Sequence, residues 1–230
     1  MVTRTVAHAI DGSGPHSQMT RKLLLLGATG ATGRQLLAQA LEQGHEITAL
    51  VRNPDKLIVD TARLSTVIGD ARDPASVDDA LEGRDAVLCS LGSRSVKSFV
   101  SSDLMTASMQ ALVPAMKRRG VRRLIVQSAL GVGTSAGSAP LSARLAFATA
   151  LRQVGKDKAR AEAYLRASDL DWTVVYPPSL TNGPLTGGYR HGHTLALKGV
   201  PNISRADVAH FMLRQLSDTT FSRSTAILSS

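Results

Sequence analysis

Leu23-Leu24-Leu25-Leu26-Gly27-Ala28-Thr29-Gly30-Ala31-Thr32-Gly33 is the stretch on which the reading of this chain turns. Four uninterrupted leucines suit a strand buried on both faces, the condition of a central strand in a parallel sheet. The glycines at 27, 30 and 33 precede a helical segment, Arg34 to Gln43. That spacing brings the backbone N–H groups of a helix start against a pyrophosphate. Strand, glycine turn, helix and second strand (Ile47 to Val51) follow one another in that order, which separates the pattern from a chance glycine cluster. Gly27, Thr29, Gly30, Ala31, Thr32 and Gly33 are therefore the phosphate-side candidates.

Working outward, short apolar runs recur at Thr66 to Ile68, Ala86 to Ser90, Leu124 to Gln127 and Thr173 to Tyr176. Helical stretches alternate with them at Pro74 to Leu81, Asp103 to Arg119, Leu141 to Val154 and Asp157 to Ala167. Such alternation calls for right-handed crossovers and predicts an α/β fold, a Rossmann-like doubly wound parallel sheet in a single domain over residues 20–230. Residues 1–19, with the turn-rich Asp11-Gly12-Ser13-Gly14-Pro15, read as a flexible N-terminal extension. After Tyr176 the pattern breaks into Pro177-Pro178 and a Gly-rich segment through Gly188, where a loop covers the ligand crevice of an open sheet.

The end of the second strand names the nucleotide. A site for NAD carries an acidic residue about 20 residues past the glycines, on the ribose hydroxyls. Here Leu50-Val51-Arg52-Asn53 puts Arg52 at that distance, and a guanidinium there pairs with a 2′-phosphate that a carboxylate repels. NADPH is the expected cofactor, with Lys56 as a second charge. Asp70, after Gly69, reads either as an adenine contact or as a turn former.

Composition excludes several classes. No apolar run approaches the roughly 20 residues of a membrane span, and no secretory leader is evident, so a cytoplasmic protein is expected. Cys89, the only cysteine, sits in a strand-like run and reads as a buried structural thiol. The chain carries 27 Lys and Arg against 18 Asp and Glu, a net charge of +9. Lys117, Arg118 and Arg119 fall at a helix end, where cations complement the dipole. With only 3% aromatic residues there is no stacking platform for specific nucleic-acid binding. His191 and His193 have no partner at metal-ligand spacing, so no metal site is expected.

On the Gly27-to-Gly33 loop, Leu50-Val51-Arg52, Gly69-Asp70, Leu91-Gly92-Ser93-Arg94, Gln127-Ser128-Ala129, Pro177-Pro178, Pro184-Leu185-Thr186-Gly187-Gly188-Tyr189 and His210-Phe211-Met212-Leu213-Arg214, the chain resembles the atypical short-chain dehydrogenases/reductases. Within them it is similar to the flavin reductase and biliverdin reductase B family. The last two segments are the more diagnostic, and the similarity runs from about Lys22 to the C-terminal segment. The resemblance implies a monomer that passes hydride from NADPH to a flavin, bilin or similar conjugated acceptor such as a quinone. It also places Ala71, Leu91, Gly92 and Arg94 beside the cofactor, Ser128 beside the nicotinamide, Pro177 and Pro178 flanking it, and Leu130 and Ser179 towards the acceptor. Animal members carry a histidine where this chain has Ser179, so neither that family's acceptor preference nor a proton donor carries over to position 179.

Ketone reductases of the superfamily place Tyr and Lys four residues apart on a helix, so that both face one pocket. Here Val154 stands four residues before Lys158, and Tyr164 lies on another face. Lys158 is expected to face solvent, and Ser128, with no aligned base, to orient rather than attack. Ser204 is expected to cap a helix bearing Asp207, and Trp172 to belong to the core. The alternative to a reductase is an NmrA-like protein that senses NADP(H) and signals to a partner without turnover.

Overall fold

A computed structural model describes residues 19–57, 59–92, 103–140, 144, 145, 147, 149, 151–197 and 199–230. The expected extension, apart from Met19, and Arg94 lie outside the described residues, as does much of the expected Leu141 to Val154 helix.

The apolar runs become β1 (Lys22–Leu26), β2 (Glu46–Val51), β3 (Leu64–Ile68), β4 (Ala86–Cys89), β5 (Arg123–Gln127) and β6 (Asp171–Tyr176). Between them lie α1 (Ala31–Glu42), α2 (Pro74–Ala80), α3 (Leu104–Arg119) and α4 (Arg152–Arg166). After β6 come β7 (Ser179–Thr181), β8 (Arg190–Gly192), β9 (Asn202–Ser204), α5 (Arg205–Arg214) and β10 (Ser224–Ser229). The main sheet has eight strands in the order β3-β2-β1-β4-β5-β6-β10-β8, all pairs parallel except β10 with β8. This is the doubly wound, Rossmann-like single-domain fold that the alternation predicts. Strand order reverses between β1 and β4, opening a crevice at their carboxyl ends.

The leucine run earns its central position by alternation. Leu24 and Leu26 join the core under α2, α3 and α4, while Leu23 and Leu25 join the core under α1 and α5. All four are fully buried, as a strand covered on both faces requires.

Two expectations need correcting. The helix read as Asp157 to Ala167 begins at Arg152, so Asp157 is interior to it. The chain after Tyr176 is not one loop: β7 pairs with β9, and β8 borders β10. Trp172 and Cys89 are buried as expected, and burial pushes the Cys89 thiol up to about 11. Among the described residues no helix is long and apolar enough to cross a membrane.

Candidate functional site

The crevice begins where β1 ends. Gly27 has φ +86°, and a Cβ there would stand 2.6 Å from the Ser90 carbonyl oxygen. A Cβ on Gly33 would stand 2.0 Å from the Gly27 carbonyl oxygen. Neither position admits a side chain, so the turn stays tight and α1 starts close against the strand. The Gly30 cap has no side-chain hydrogen bond, and the first turn of α1 holds no acid. The opening amides and the positive end of the helix dipole are thus left for an anion. A dinucleotide pyrophosphate fits this cradle.

Cations gather on the side where the second strand ends. Arg52 is exposed just past β2, and Lys56 closes a short 3-10 helix, Pro54–Lys56. Arg34, which sequence reasoning passed over, spans the two parts: its Nε donates to the Thr29 carbonyl at 3.4 Å and its Nη2 to the Lys56 carbonyl at 3.2 Å. Its signal was present in the sequence, a cation directly after the third glycine. Asp70 forms the turn with Arg72. Its carboxylate accepts from the backbone and Nε of Arg72 at 2.9 and 3.0 Å and from Nη2 at 2.7 Å. Those bonds, with Arg52 nearby, hold its carboxyl down at about 2. Ala71 beside it is buried.

Further along the crevice stand the ends of β4, β5 and β6. Leu91 and Gly92 follow β4 without regular structure. The Ser128 N–H donates to the Val175 carbonyl at 2.8 Å, extending the β5–β6 ladder by one residue, and the Leu130 N–H donates to the Pro177 carbonyl at 2.9 Å. Pro177 is buried, Pro178 half-buried and Ser179 exposed. Leu130, named towards the acceptor, packs against the apolar core with 4% of its surface exposed.

Ser128 and Lys158 differ most from the sequence reading. Ser128 does have an aligned partner: its Oγ donates to Glu162 Oε1 at 2.5 Å. The Tyr176 hydroxyl donates to Glu162 Oε2 at 2.6 Å, and Arg166 Nη2 reaches both that hydroxyl, at 2.9 Å, and Glu162 Oε2, at 3.5 Å. Burial and the Glu162 charge push the Tyr176 phenol well above its ordinary pKa, so it stays protonated. Lys158 is half-buried rather than turned out to solvent. It is drawn inward near Cys89 and Glu162, and burial lowers its pKa. The correction has a simple geometric cause: Lys158, Glu162 and Arg166 recur every fourth residue and share the face of α4 that is turned to the sheet. That spacing was readable, but its inward direction was not.

The Gly-rich segment is tied down from α5. Asp207 Oδ1 accepts from the Thr186 and Gly187 amides at 2.8 and 2.9 Å, and Oδ2 accepts from the Thr186 hydroxyl at 2.9 Å. Ser204 caps the helix as expected, accepting from the Asp207 amide at 2.9 Å. His191 and His193 are exposed but lie against Phe211 and Phe221, with ring centroids 5.2 and 4.7 Å apart. A separate cavity, lined by Thr20, Arg21, Arg84, Asp85, Gly120 and Val121, lies at the opposite ends of β1 and β4, away from these groups.

Comparison with known proteins agrees with this geometry. A chloroplastic protein of uncharacterized function from Arabidopsis thaliana is 28% identical over 182 residues, covering 76% of this chain and 65% of that protein. The chain therefore spans just under two thirds of that relative's length. The anaerobilin reductase ChuY of Escherichia coli O157:H7 superposes with a TM-score of 0.75 at 23% identity, over 90% of this chain and 96% of that one. A short-chain dehydrogenase/reductase from Veillonella parvula, solved in complex with NADP, gives a TM-score of 0.76 at 22% identity, over 92% and 95% of the two chains. At these identities the two structures speak to the fold alone. The family model described as NAD(P)H-binding matches residues 27–219, from the first glycine of the cradle to beyond α5, and on that match the chain belongs to the NAD(P)H-binding family.

Proposed function

We propose that this protein is an NADPH-dependent reductase that passes hydride to a planar conjugated acceptor of the flavin, bilin or quinone class. The observation that carries the reading is the shape of the proton chemistry at the crevice. The tyrosine that shares Glu162 with Ser128 is Tyr176, which is buried, raised in pKa and committed to that carboxylate. It is a poor acid. A simple ketone becomes an alkoxide on hydride addition and needs a donor at once, whereas a conjugated ring spreads the charge and takes its proton from solvent. The fold relation to a protein named as an anaerobilin reductase points the same way.

NADPH, when bound, supplies the hydride. The chain's own residues account for its placement. Gly27, Gly30 and Gly33 with Thr29, Ala31 and Thr32 would hold the pyrophosphate; Arg52, Lys56 and Arg34 would meet the 2′-phosphate. Leu91, Gly92, Ser128, Pro177 and Pro178 would border the nicotinamide, and exposed Ser179 would stand towards the acceptor. We further propose that the protein works as a cytoplasmic monomer.

One observation favours a second reading. Lys158 is drawn inward with a lowered pKa, which makes its ammonium a readier proton donor than an exposed lysine, and with that donor simple carbonyls become substrates. The deciding experiment is NADPH oxidation measured separately with riboflavin, FMN, a bilin, a quinone and a panel of ketones. Turnover of the ring acceptors alone supports the first reading. Brisk ketone reduction that is lost in Lys158→Met supports the second, and NADPH binding without turnover of any acceptor points to a sensor.

A further inference from the structure

Ser128 has its hydroxyl proton assigned by its neighbours. A carboxylate only accepts hydrogen bonds, and Glu162 receives them from Ser128, Tyr176 and Arg166. Glu162 and Ser128 are each only 4% exposed, so water does not compete for these bonds, and bonds to an ionised acceptor are the strong ones. Arg166 supplies the compensating charge from the partly exposed end of the cluster. The single Ser128 proton therefore points at Glu162. What the serine can offer in any other direction is a lone pair.

We propose that Glu162 is a positioning residue that fixes Ser128 as a hydrogen-bond acceptor at the end of β5, so that this point of the crevice selects an N–H group. The inference rests on the reductase reading. The N–H has two sources there, the carboxamide of the nicotinamide or the imide or pyrrole nitrogen of a conjugated acceptor. A serine with a free proton would serve a carbonyl oxygen; held by Glu162, it meets that oxygen with lone pair against lone pair. Selection then arises from an unpaired polar group in the wrong ligand.

The test compares ligand pairs that differ only in the N–H, by titration calorimetry. For the cofactor source the pair is NADP and its 3-acetylpyridine analogue, in which a methyl replaces the amide nitrogen. For the acceptor source it is riboflavin and 3-methylriboflavin, each titrated into NADP-loaded protein. Wild type is expected to bind the N–H member of one pair about three- to tenfold more tightly. The pair that shows the preference identifies the source. The ratio should fall to about one in Ser128→Ala, and in Glu162→Gln, where a side-chain amide facing the serine frees its proton to turn outward. Tyr176→Phe keeps the Ser128–Glu162 bond and should keep the ratio, which a merely structural role for the cluster does not predict. Should Glu162→Gln fail to fold, loss of the ratio in Ser128→Ala with retention in Tyr176→Phe supports the proposal, and loss in both overturns it. Absence of preference in wild type for both pairs, or its persistence in Glu162→Gln or Ser128→Ala, also overturns it. Failure of wild type to bind NADP at all overturns the reductase reading instead.

Discussion

At the scale of single residues, Arg52 and Lys158 make opposite uses of positive charge. Arg52 is exposed at the end of β2, near Asp70, where the proposed function has it meet the 2′-phosphate. Arg52→Glu should weaken NADPH by roughly ten- to a hundredfold, the equivalent of about 1.5 to 3 kcal/mol for lost charge-assisted bonds, and leave NADH much less affected. Fluorescence titration of both cofactors checks this, and equal losses would show that the phosphate is held elsewhere. Lys158 is a charge the fold holds at a cost, because burial outweighs the attraction of Glu162 and lowers its pKa below 10.5. The unfolded chain therefore binds that proton more readily, and the cost is present in full below the folded-state pKa and fades as pH rises towards 10.5. Lys158→Met should accordingly melt at a higher temperature than wild type near neutral pH. The gap should narrow as the buffer is made alkaline, and a gap that is constant with pH would remove the charge from the explanation.

At the scale of elements, helix ends are satisfied by distant parts of the chain. Asp103 occupies the cap position of α3 without a side-chain capping bond. Asp157 from α4 does that work, its carboxylate accepting from the Met105 and Thr106 amides at 2.9 Å and from the Thr106 hydroxyl at 2.7 Å. Asp157→Ala leaves buried donors without this acceptor and should cost about 2 kcal/mol. For a chain of this length that lowers Tm by about 4 °C or more, readable by calorimetry. The other end of α5 shows the same habit. Buried Arg123, at the start of β5, donates from Nε and Nη2 to the Gln215 carbonyl at 3.0 and 2.7 Å, meeting the negative end of the helix. Arg123→Met should destabilise through the orphaned carbonyl, and a melting temperature equal to wild type would show that water replaces the guanidinium there.

At the scale of the molecule, the sheet is completed by the last strand to be made. β10 lies between β6 and β8, with Ala226, Ile227 and Leu228 buried. It is parallel to β6 and, among the described residues, is the one neighbour through which β8 joins the sheet. Removing residues 224–230 should therefore abolish cooperative unfolding rather than fray an edge. Circular dichroism melts would show a broad, low-temperature transition, and a sharp two-state melt close to wild type would contradict this placement.

The sequence by itself determined the elements whose cause is local. Four leucines in a row need burial on both sides, glycines at 27, 30 and 33 permit a turn that no side chain fits, and Ser204 stands before a helix whose amide it can cap. From these the sheet and its crevice were legible, as was the place of Arg52 at the end of the second strand. Tertiary structure decided whatever depends on the direction in which a face is turned. The fourfold spacing of Lys158, Glu162 and Arg166 was visible, but only the packing of α4 on the sheet turned it inward and gave Ser128 its partner. Asp157 looked like a helix start and became another helix's cap. The late strands escaped notice for the same reason: short segments such as Arg190–Gly192 hold their shape only through the hydrogen bonds of a distant neighbour, and no local periodicity records a partner that lies far along the chain.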